Sequence, residues 1–496
     1  MHIMYPRLAF TLFSASAVLA ASGLAGEPAR PPNIILINAD NFGYGDLGVY
    51  GNKVHRTPRI DRLASEGIRF TDFYAASPVC TSSRSALLTG SYPRRNSMDE
   101  FPWDGSVLRP VSPHGLHPDE ITLAELLRAR GYYTACLGKW HLGDQNEFLP
   151  TKHGFDYFLG LLYSDEMDNS YTAFRWPPMP LMRNDRVVEA PAKLETMTKR
   201  YTEDAQRLIR EHRNRPFFIY LPHMSPGSRT EPIAGTEFQG RSRNGKYGDT
   251  VEELDWSTGE ILDTLAELGL EKNTLVIWTA DNGAPPPRDA KHFGSFAPLA
   301  PRLRYDATEG GVRVAFIARW PGHIKPGSVS REIATNMDLF TTLAKLGGAE
   351  IPRDRIIDGK DILPLLTGKA GAKSPHEAYY YYMGGQLQAV RAGPWKLQLP
   401  LEKPLLQLGM GELGRSVSGR DSRMFGEPLP ARLYNLENDI GEKREVSADQ
   451  PEVVARLLAL ADKARADIGD LDRPGKGARP AGRVANPKPQ VLGGMQ

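Results

Sequence analysis

Cysteine is almost missing from this chain. Its 496 residues include two, Cys80 and Cys136, so one disulfide is the most it could form and a disulfide scaffold is excluded. An excess of one charge is missing too. Lys and Arg number 61 against 59 Asp and Glu, a net +2, which gives no global attraction to nucleic acid or to an anionic membrane surface. No His/Cys cluster suggests a zinc site. Past the N-terminus no run is apolar enough to span a bilayer, and no internal repeat is present. Glycine and proline are plentiful, 48 and 40 residues. They point to long structured loops on a rigid scaffold. Hydrophobic residues make up 41%, enough at this length to bury a large core and more than one domain.

The first 25 residues read as a signal peptide. Arg7 supplies the positive flank, Leu8 to Leu19 the apolar stretch, and Gly23-Leu24-Ala25 a small-residue cleavage site. An uncleaved anchor is the alternative, but the stretch is short and rich in Ser, Thr and Ala for that role. A periplasmic or secreted protein without stable membrane insertion is expected.

Along the chain, apolar strand-like runs alternate with amphipathic helices. This is the pattern of an α/β fold with a large, mostly parallel mixed sheet flanked by helices. Strands are expected at Asn33–Asn38, Tyr132–Leu137, Pro216–Leu221, Thr274–Thr279 and Val312–Trp320. Thr122 to Glu125 is a capping box that opens a helix ending at Gly131. Ala205, Leu208 and Ile209 share one helix face, and Val251, Leu254, Ile261 and Leu265 another. After Gly368 the character changes. Short runs near Ala378, Gln388, Trp395 and Arg432 predict a small antiparallel sheet, and Val453 to Ala461 a packed helix. The domains expected are therefore 26–370 and 371–470. The Pro-, Gly- and base-rich stretch 471–496 is expected to be a disordered tail.

The chemistry lies in three short segments. Ala-Asp-Asn occurs twice, as Ala39-Asp40-Asn41 and Ala280-Asp281-Asn282, each directly after an apolar strand. Sites in parallel α/β sheets form beyond the carboxyl ends of strands. Two such ends could gather four oxygen-bearing side chains into a hard-cation site for calcium or magnesium. Singly, each Asp-Asn could equally be a turn or helix cap. Cys80-Thr81-Ser82-Ser83-Arg84, with Thr89-Gly90 after it, is the second segment; a lone Cys is commonly a small buried hydrophobe. The third is Gly138-Lys139-Trp140-His141-Leu142-Gly143 at a strand end.

Together these segments resemble the sulfatase family, in its arylsulfatase A-like branch and alkaline-phosphatase-like superfamily. Cys80 to Gly90 resembles the first family signature, and Gly131-Tyr132-Tyr133-Thr134 with Gly138 to Gly143 the second. Glu309 with Gly310 to Val314, Leu433-Tyr434-Asn435-Leu436, and Phe148-Leu149-Pro150 with His153 to Asp156 fit as well. The resemblance implies hydrolysis of a sulfate ester of a small molecule or glycan. It implies that Cys80 is oxidised to formylglycine by a formylglycine-generating enzyme, and that the hydrated aldehyde attacks sulfur. It implies calcium held by Asp40, Asn41, Asp281 and Asn282 and touching residue 80. Arg84 would steady the hydrated aldehyde, and Lys139 would bind a sulfate oxygen. His141 would either take the proton that starts the elimination or orient the diol. Cys136 has no role in the resemblance and reads as core.

Four departures stand out. Ser82 replaces the usual Pro or Ala. Asn41 stands where many relatives carry Asp, which removes one negative charge from the cation site. Gly227 stands where a sulfate-contacting His is expected, with His223 four residues earlier as a stand-in. Arg304, with Arg302 nearby, replaces a Lys; it can still clamp sulfate but does not donate a proton as Lys can. Two other readings therefore stay open: a phosphoester or phosphonate ester hydrolase of the same superfamily, and a catalytically weakened protein that binds sulfated glycans.

Overall fold

The apolar run at Asn33 forms a strand buried along its whole length, β1 (Asn33–Asp40). A strand with no polar face must be covered on both sides. It lies inside an eleven-stranded sheet. The computed structural model describes residues 1, 30–101, 104–170, 176–285, 293–302, 307–405, 425–471 and 473–493. The other strands of this sheet are β2 (Ile68–Tyr74), β3 (Tyr133–Leu137), β4 (Tyr157–Leu161), β5 (Leu181–Arg183), β6 (Arg186–Glu189), β7 (Phe217–Pro226), β8 (Thr274–Ala280), β9 (Arg313–Arg319), β10 (Ser328–Ser330) and β11 (Ala334–Thr335). Their order is β10-β2-β9-β8-β1-β7-β3-β4-β5-β6, with β11 also on β2. The centre, β8-β1-β7-β3-β4, is parallel. Strands β9, β5 and β6 run against their neighbours. The expected fold class is the one observed.

Helices form two packed groups. One holds α1 (Pro58–Ser65), α4 (Met197–Glu211) and α5 (Gly245–Glu267); the other holds α2 (Cys80–Thr89), α3 (Leu123–Ala129) and α6 (Met337–Leu346). The box at Thr122 caps α3 from both sides. Thr122 Oγ1 accepts from Glu125 N at 3.2 Å, and Glu125 Oε2 accepts from Thr122 N at 2.7 Å. Cys136 is fully buried within β3.

The C-terminal segment adds an antiparallel sheet of β12 (Tyr379–Met383), β13 (Gln386–Ala392), β14 (Trp395–Gln398) and β15 (Arg432–Asn435), in that order. Helix α7 (Pro451–Asp467) packs on β13 and β14. Leu387, Val390, Leu397, Leu457 and Ala461 form its core, which also takes in Ala86 from α2.

One expectation from composition fails. The stretch after 471 is not a free tail. Gly482 and Arg483 pair with Gly115 and His114. Arg479 Nε lies 2.5 Å from Oε1 of buried Glu120, and Lys488 N donates to Gln145 Oε1 at 2.8 Å. These long-range partners offset the ordering entropy, and composition does not reveal them. The chain divides into two compact units, Met1–Arg30 and Pro31–Gln496. The expected signal peptide, apart from Met1, lies outside the described residues. No described helix is long and apolar enough to cross a membrane.

Candidate active site

The two Ala-Asp-Asn stretches end neighbouring strands. Ala39 of β1 pairs with Ala280 of β8, so Asp40 and Asp281 leave the sheet side by side at its carboxyl end. Asn41 adopts φ +58°, a left-handed conformation that Asn tolerates. Its N–H then reaches Asp281 Oδ1 at 3.0 Å. Asn282 Nδ2 donates to Asn41 Oδ1 at 2.5 Å. The four oxygen-bearing side chains thus form one buried group.

Cys80 is the first residue of α2, a helix buried over all ten of its residues. Its Sγ lies 3.3 Å from Asp40 Oδ1 and 3.8 Å from Asn41 Nδ2. Ligand atoms of Asp40, Cys80 and Asp281 all fall within 4.8 Å of one another. Burial, reinforced by the Asp40 carboxylate, pushes the Cys80 thiol well above its ordinary range. An unmodified Cys80 is therefore a protonated thiol and a poor nucleophile.

One turn along α2, Arg84 donates to Asp281 Oδ2 through Nε and a terminal nitrogen, at 3.0 and 2.8 Å. It also reaches Asp40 Oδ1 at 3.2 Å and the Lys139 carbonyl at 2.8 Å. Lys139 Nζ lies 2.9 Å from both Asp40 oxygens and 2.9 Å from Ser164 Oγ. Gly138, at φ +138°, lets this segment pass the Pro222 carbonyl, which a Cβ would meet at 1.9 Å. Burial raises the Asp281 carboxyl to about 6 even though Arg84 opposes it. Burial works against the Lys139 charge, but Asp40, Cys80 and Asp281 together outweigh it and the pKa rises.

His141, two residues on, is buried with φ +60°. Its Nε2 is 2.9 Å from the Leu108 carbonyl. A carbonyl only accepts, so Nε2 carries the proton and Nδ1 keeps a lone pair. That Nδ1 has no hydrogen-bond partner among the described residues. Burial, with Lys139 adding to it, holds the ring pKa well below the usual value.

Other expected site residues lie elsewhere. His223 is turned into the helix layer: its Nε2 is 3.4 Å from Ser257 Oγ of α5, and its ring centroid is 6.4 Å from that of Tyr201 on α4. Burial lowers its pKa to about 3. Strand irregularity accounts for this placement. Between paired residues β1 advances from Asn38 to Asp40 while β7 advances from Pro222 to Pro226. A spacing of four in sequence therefore does not carry His223 to the position of Gly227. Arg302 donates to the carbonyls of Gly283, at 2.8 Å, and Pro78. It ties together the segments that lead into Asn282 and Cys80. Arg304 lies outside the described residues.

From sequence, Ser164, Asp165, Ser228 and Arg229 fall only within loops expected to wall the pocket, 163–176 and 223–237, and receive no individual role; Ser164 bonds Lys139. Ser164 and Asp165 follow the end of β4, and the strand-end rule that picked out Asp40 could have found them. Ser82 is a different case. Its buried hydroxyl finds no hydrogen-bond partner among the described residues. An unpaired buried hydroxyl costs about 1–3 kcal/mol, so Ser82→Ala is expected to stabilise the protein by roughly 1 kcal/mol. A lowered midpoint in thermal unfolding would contradict this.

The donors fit a hard cation. They are oxygens of Asp40, Asn41, Asp281 and Asn282, and Asn282 Oδ1 is buried with no partner among the described residues.

Carboxylates, amide oxygens and buried Lys and Arg side chains meet at the strand ends of an α/β sheet, an arrangement suited to an anionic ester. The sulfatase family profile matches residues 32–349, and the profile for the C-terminal region of aryl-sulfatase matches 374–474. The chain belongs to the sulfatase family and is a sulfuric ester hydrolase. It is 38% identical to human arylsulfatase A, covering 89% of this chain and 88% of that one. It is 35% identical to mouse steryl-sulfatase, covering 90% and 83%. Among solved structures, Ps i-CgsB in complex with k-i-k-neocarrahexaose is 27% identical. It has a TM-score of 0.68 and covers 88% of this chain and 92% of that one.

Proposed function

We propose that this sulfatase releases sulfate from a sulfated carbohydrate outside the cytoplasm, with formylglycine made from Cys80 and calcium held by Asp40, Asn41, Asp281 and Asn282. The observation that carries this reading is the placement of Cys80. It opens a buried helix, with Sγ 3.3 Å from Asp40 and within one cluster with Asp281. The raised thiol pKa speaks against catalysis by an unmodified cysteine. Formylglycine would supply a hydrated aldehyde as nucleophile, and calcium would favour its ionised form and draw charge from sulfate oxygens.

The chain's own residues supply the rest. Arg84, held by both aspartates, presents fixed positive charge beside residue 80. Lys139 presents a second positive charge against Asp40, and in this reading it binds a sulfate oxygen. His141 offers Nδ1 as proton acceptor, with its tautomer fixed by the Leu108 carbonyl. The neighbour bound to k-i-k-neocarrahexaose supports a carbohydrate as substrate. The N-terminal sequence, with Arg7 and the apolar stretch after it, supports export.

The test is mass spectrometry of the Cys80 peptide from protein exported by its own host, paired with sulfate release. Formylglycine and turnover of an aryl sulfate are expected. An unmodified cysteine, in a host whose converting enzyme acts on another sulfatase, would overturn the maturation step and favour a glycan-binding role. Chelation should lower sulfate release and added calcium restore it. Activity indifferent to chelator would count against the cation.

A further inference from the structure

The contacts around residue 80 close into a ring that contains a carboxyl group with no role so far. From Cys80 Sγ the ring runs 3.3 Å to Asp40 Oδ1, 2.9 Å to Lys139 Nζ and 2.9 Å to Ser164 Oγ. It continues 3.5 Å to Asp165 Oδ1 and 3.1 Å to Ser228 N. Ser228 Oγ accepts from Asn41 Nδ2 at 2.8 Å, and that nitrogen lies 3.8 Å from Cys80 Sγ. Asp165 thus sits across the ring from the reacting residue.

Gly227 makes room for it. At φ +82°, a Cβ on Gly227 would stand 2.6 Å from Asp165 Oδ2 and 2.7 Å from Oδ1. No side chain other than glycine's hydrogen leaves that space to the carboxyl group. The Gly227 N–H donates to the Asp40 carbonyl at 3.1 Å, so the space borders the cation-binding strand end.

Breaking a sulfate ester leaves an alcoholate, which departs faster if it is protonated as it leaves. The other candidate groups in and beside the ring are poor donors. Lys139 is pinned between both Asp40 oxygens, Arg84 does not give up a proton, and His141 presents a lone pair. Serine hydroxyls are weak acids.

We infer that Asp165, in the space opened by Gly227, is the general acid that protonates the departing alcohol. The inference rests on the sulfatase reading above. As the incoming oxygen bonds to sulfur, the bond from sulfur to the ester oxygen breaks and its electron pair goes to that oxygen. The Asp165 proton goes to the same oxygen, leaving a neutral alcohol and a carboxylate that water reprotonates. The surroundings suit a retained proton. Asp165 is 2% exposed. Burial, then Glu166, then Asp40 push its carboxyl well above the ordinary range, against the Ser228 N–H and Lys139. Arg229 Nε is 3.7 Å from Oδ2, and Arg229 also pairs with Asp168 at 3.2 Å.

The experiment compares wild type with Asp165→Asn, matched for formylglycine content, on 4-nitrophenyl sulfate and phenyl sulfate. A nitrophenolate leaves well without a proton; a phenolate does not. Asp165→Asn is expected to lose about 100-fold or more in kcat/KM on phenyl sulfate and less than about tenfold on the nitrophenyl ester. The ratio of the two losses does not depend on how much of the variant folds. Equal losses on both esters, or no activity on either, would overturn the role of Asp165. If Asp165→Asn does not fold by circular dichroism, Asp165→Ser is read in the same way. A wild type that is matured yet inactive on both aryl esters and on sulfated carbohydrate would instead deny the formylglycine reading on which the inference rests.

Discussion

Cys80→Ala is expected to abolish sulfate release, by about 10⁴-fold or more, while the protein stays folded. The two halves of this expectation come from different contacts. Residue 80 opens α2, and Ala is a good helix former there. The Sγ contacts are long ones, to Asp40 and to Asn41 Nδ2, so their loss costs about 1 kcal/mol or less. Arg84 and Lys139 still neutralise Asp40 and Asp281 without it. What disappears is the only nucleophile the proposed chemistry supplies. Cys80→Ser should be as inactive as Cys80→Ala, because the proposed chemistry requires oxidation of a thiol. Residual turnover near the wild-type rate in either variant, with unchanged thermal unfolding, would rule out residue 80 as nucleophile.

Much of the large sheet was legible because its central strands are buried on both faces, and burial on both faces writes a continuous apolar run. Asn33 to Asn38 and Thr274 to Thr279 needed only their ends adjusted. The pairing of Ala39 with Ala280 was legible because the same tripeptide ends two neighbouring parallel strands. His223 was misjudged because β7 carries two more residues than β1 between paired positions, and sequence spacing does not record a bulge. Ser164 and Asp165 fall in a loop expected to wall the pocket, but their roles are not legible, because only the folded chain brings them to Lys139 and Gly227. The described residues after 471 were misjudged for a related reason. Their order depends on Glu120, Gly115 and Gln145, all more than 300 residues earlier in the chain.

Glu309→Gln is expected to destabilise the protein by about 3 kcal/mol or more and to weaken the site from a distance. Glu309 is fully buried. Its carboxylate accepts from Tyr74 and Tyr381 hydroxyls at 2.6 Å each, and it lies 3.2 Å from Lys396 Nζ and 3.2 Å from Arg313. Lys396 and Tyr381 belong to the C-terminal sheet, so this one group joins that sheet to the catalytic body. Burial alone would raise its pKa; Lys396, Arg313 and Arg391 reverse this and hold it at about 2, against an ordinary 4.5. A depressed folded-state pKa contributes stability that is fully present above 4.5 and fades as pH falls towards 2. The stability gap between wild type and Glu309→Gln, from urea unfolding, should thus be full at neutral pH and narrow below 4.5. A gap that does not narrow would place the stabilising charge on another group. The effect reaches the site through backbone: Gly310 N donates to the Ala300 carbonyl at 2.9 Å, and Gly283 N to the Gly311 carbonyl at 3.0 Å. Gly283 follows Asn282 directly, so loosening the Glu309 turn frees one edge of the proposed cation site. The variant should therefore need more added calcium than wild type for half-maximal sulfate release. An unchanged calcium requirement would confine Glu309 to joining the two sheets.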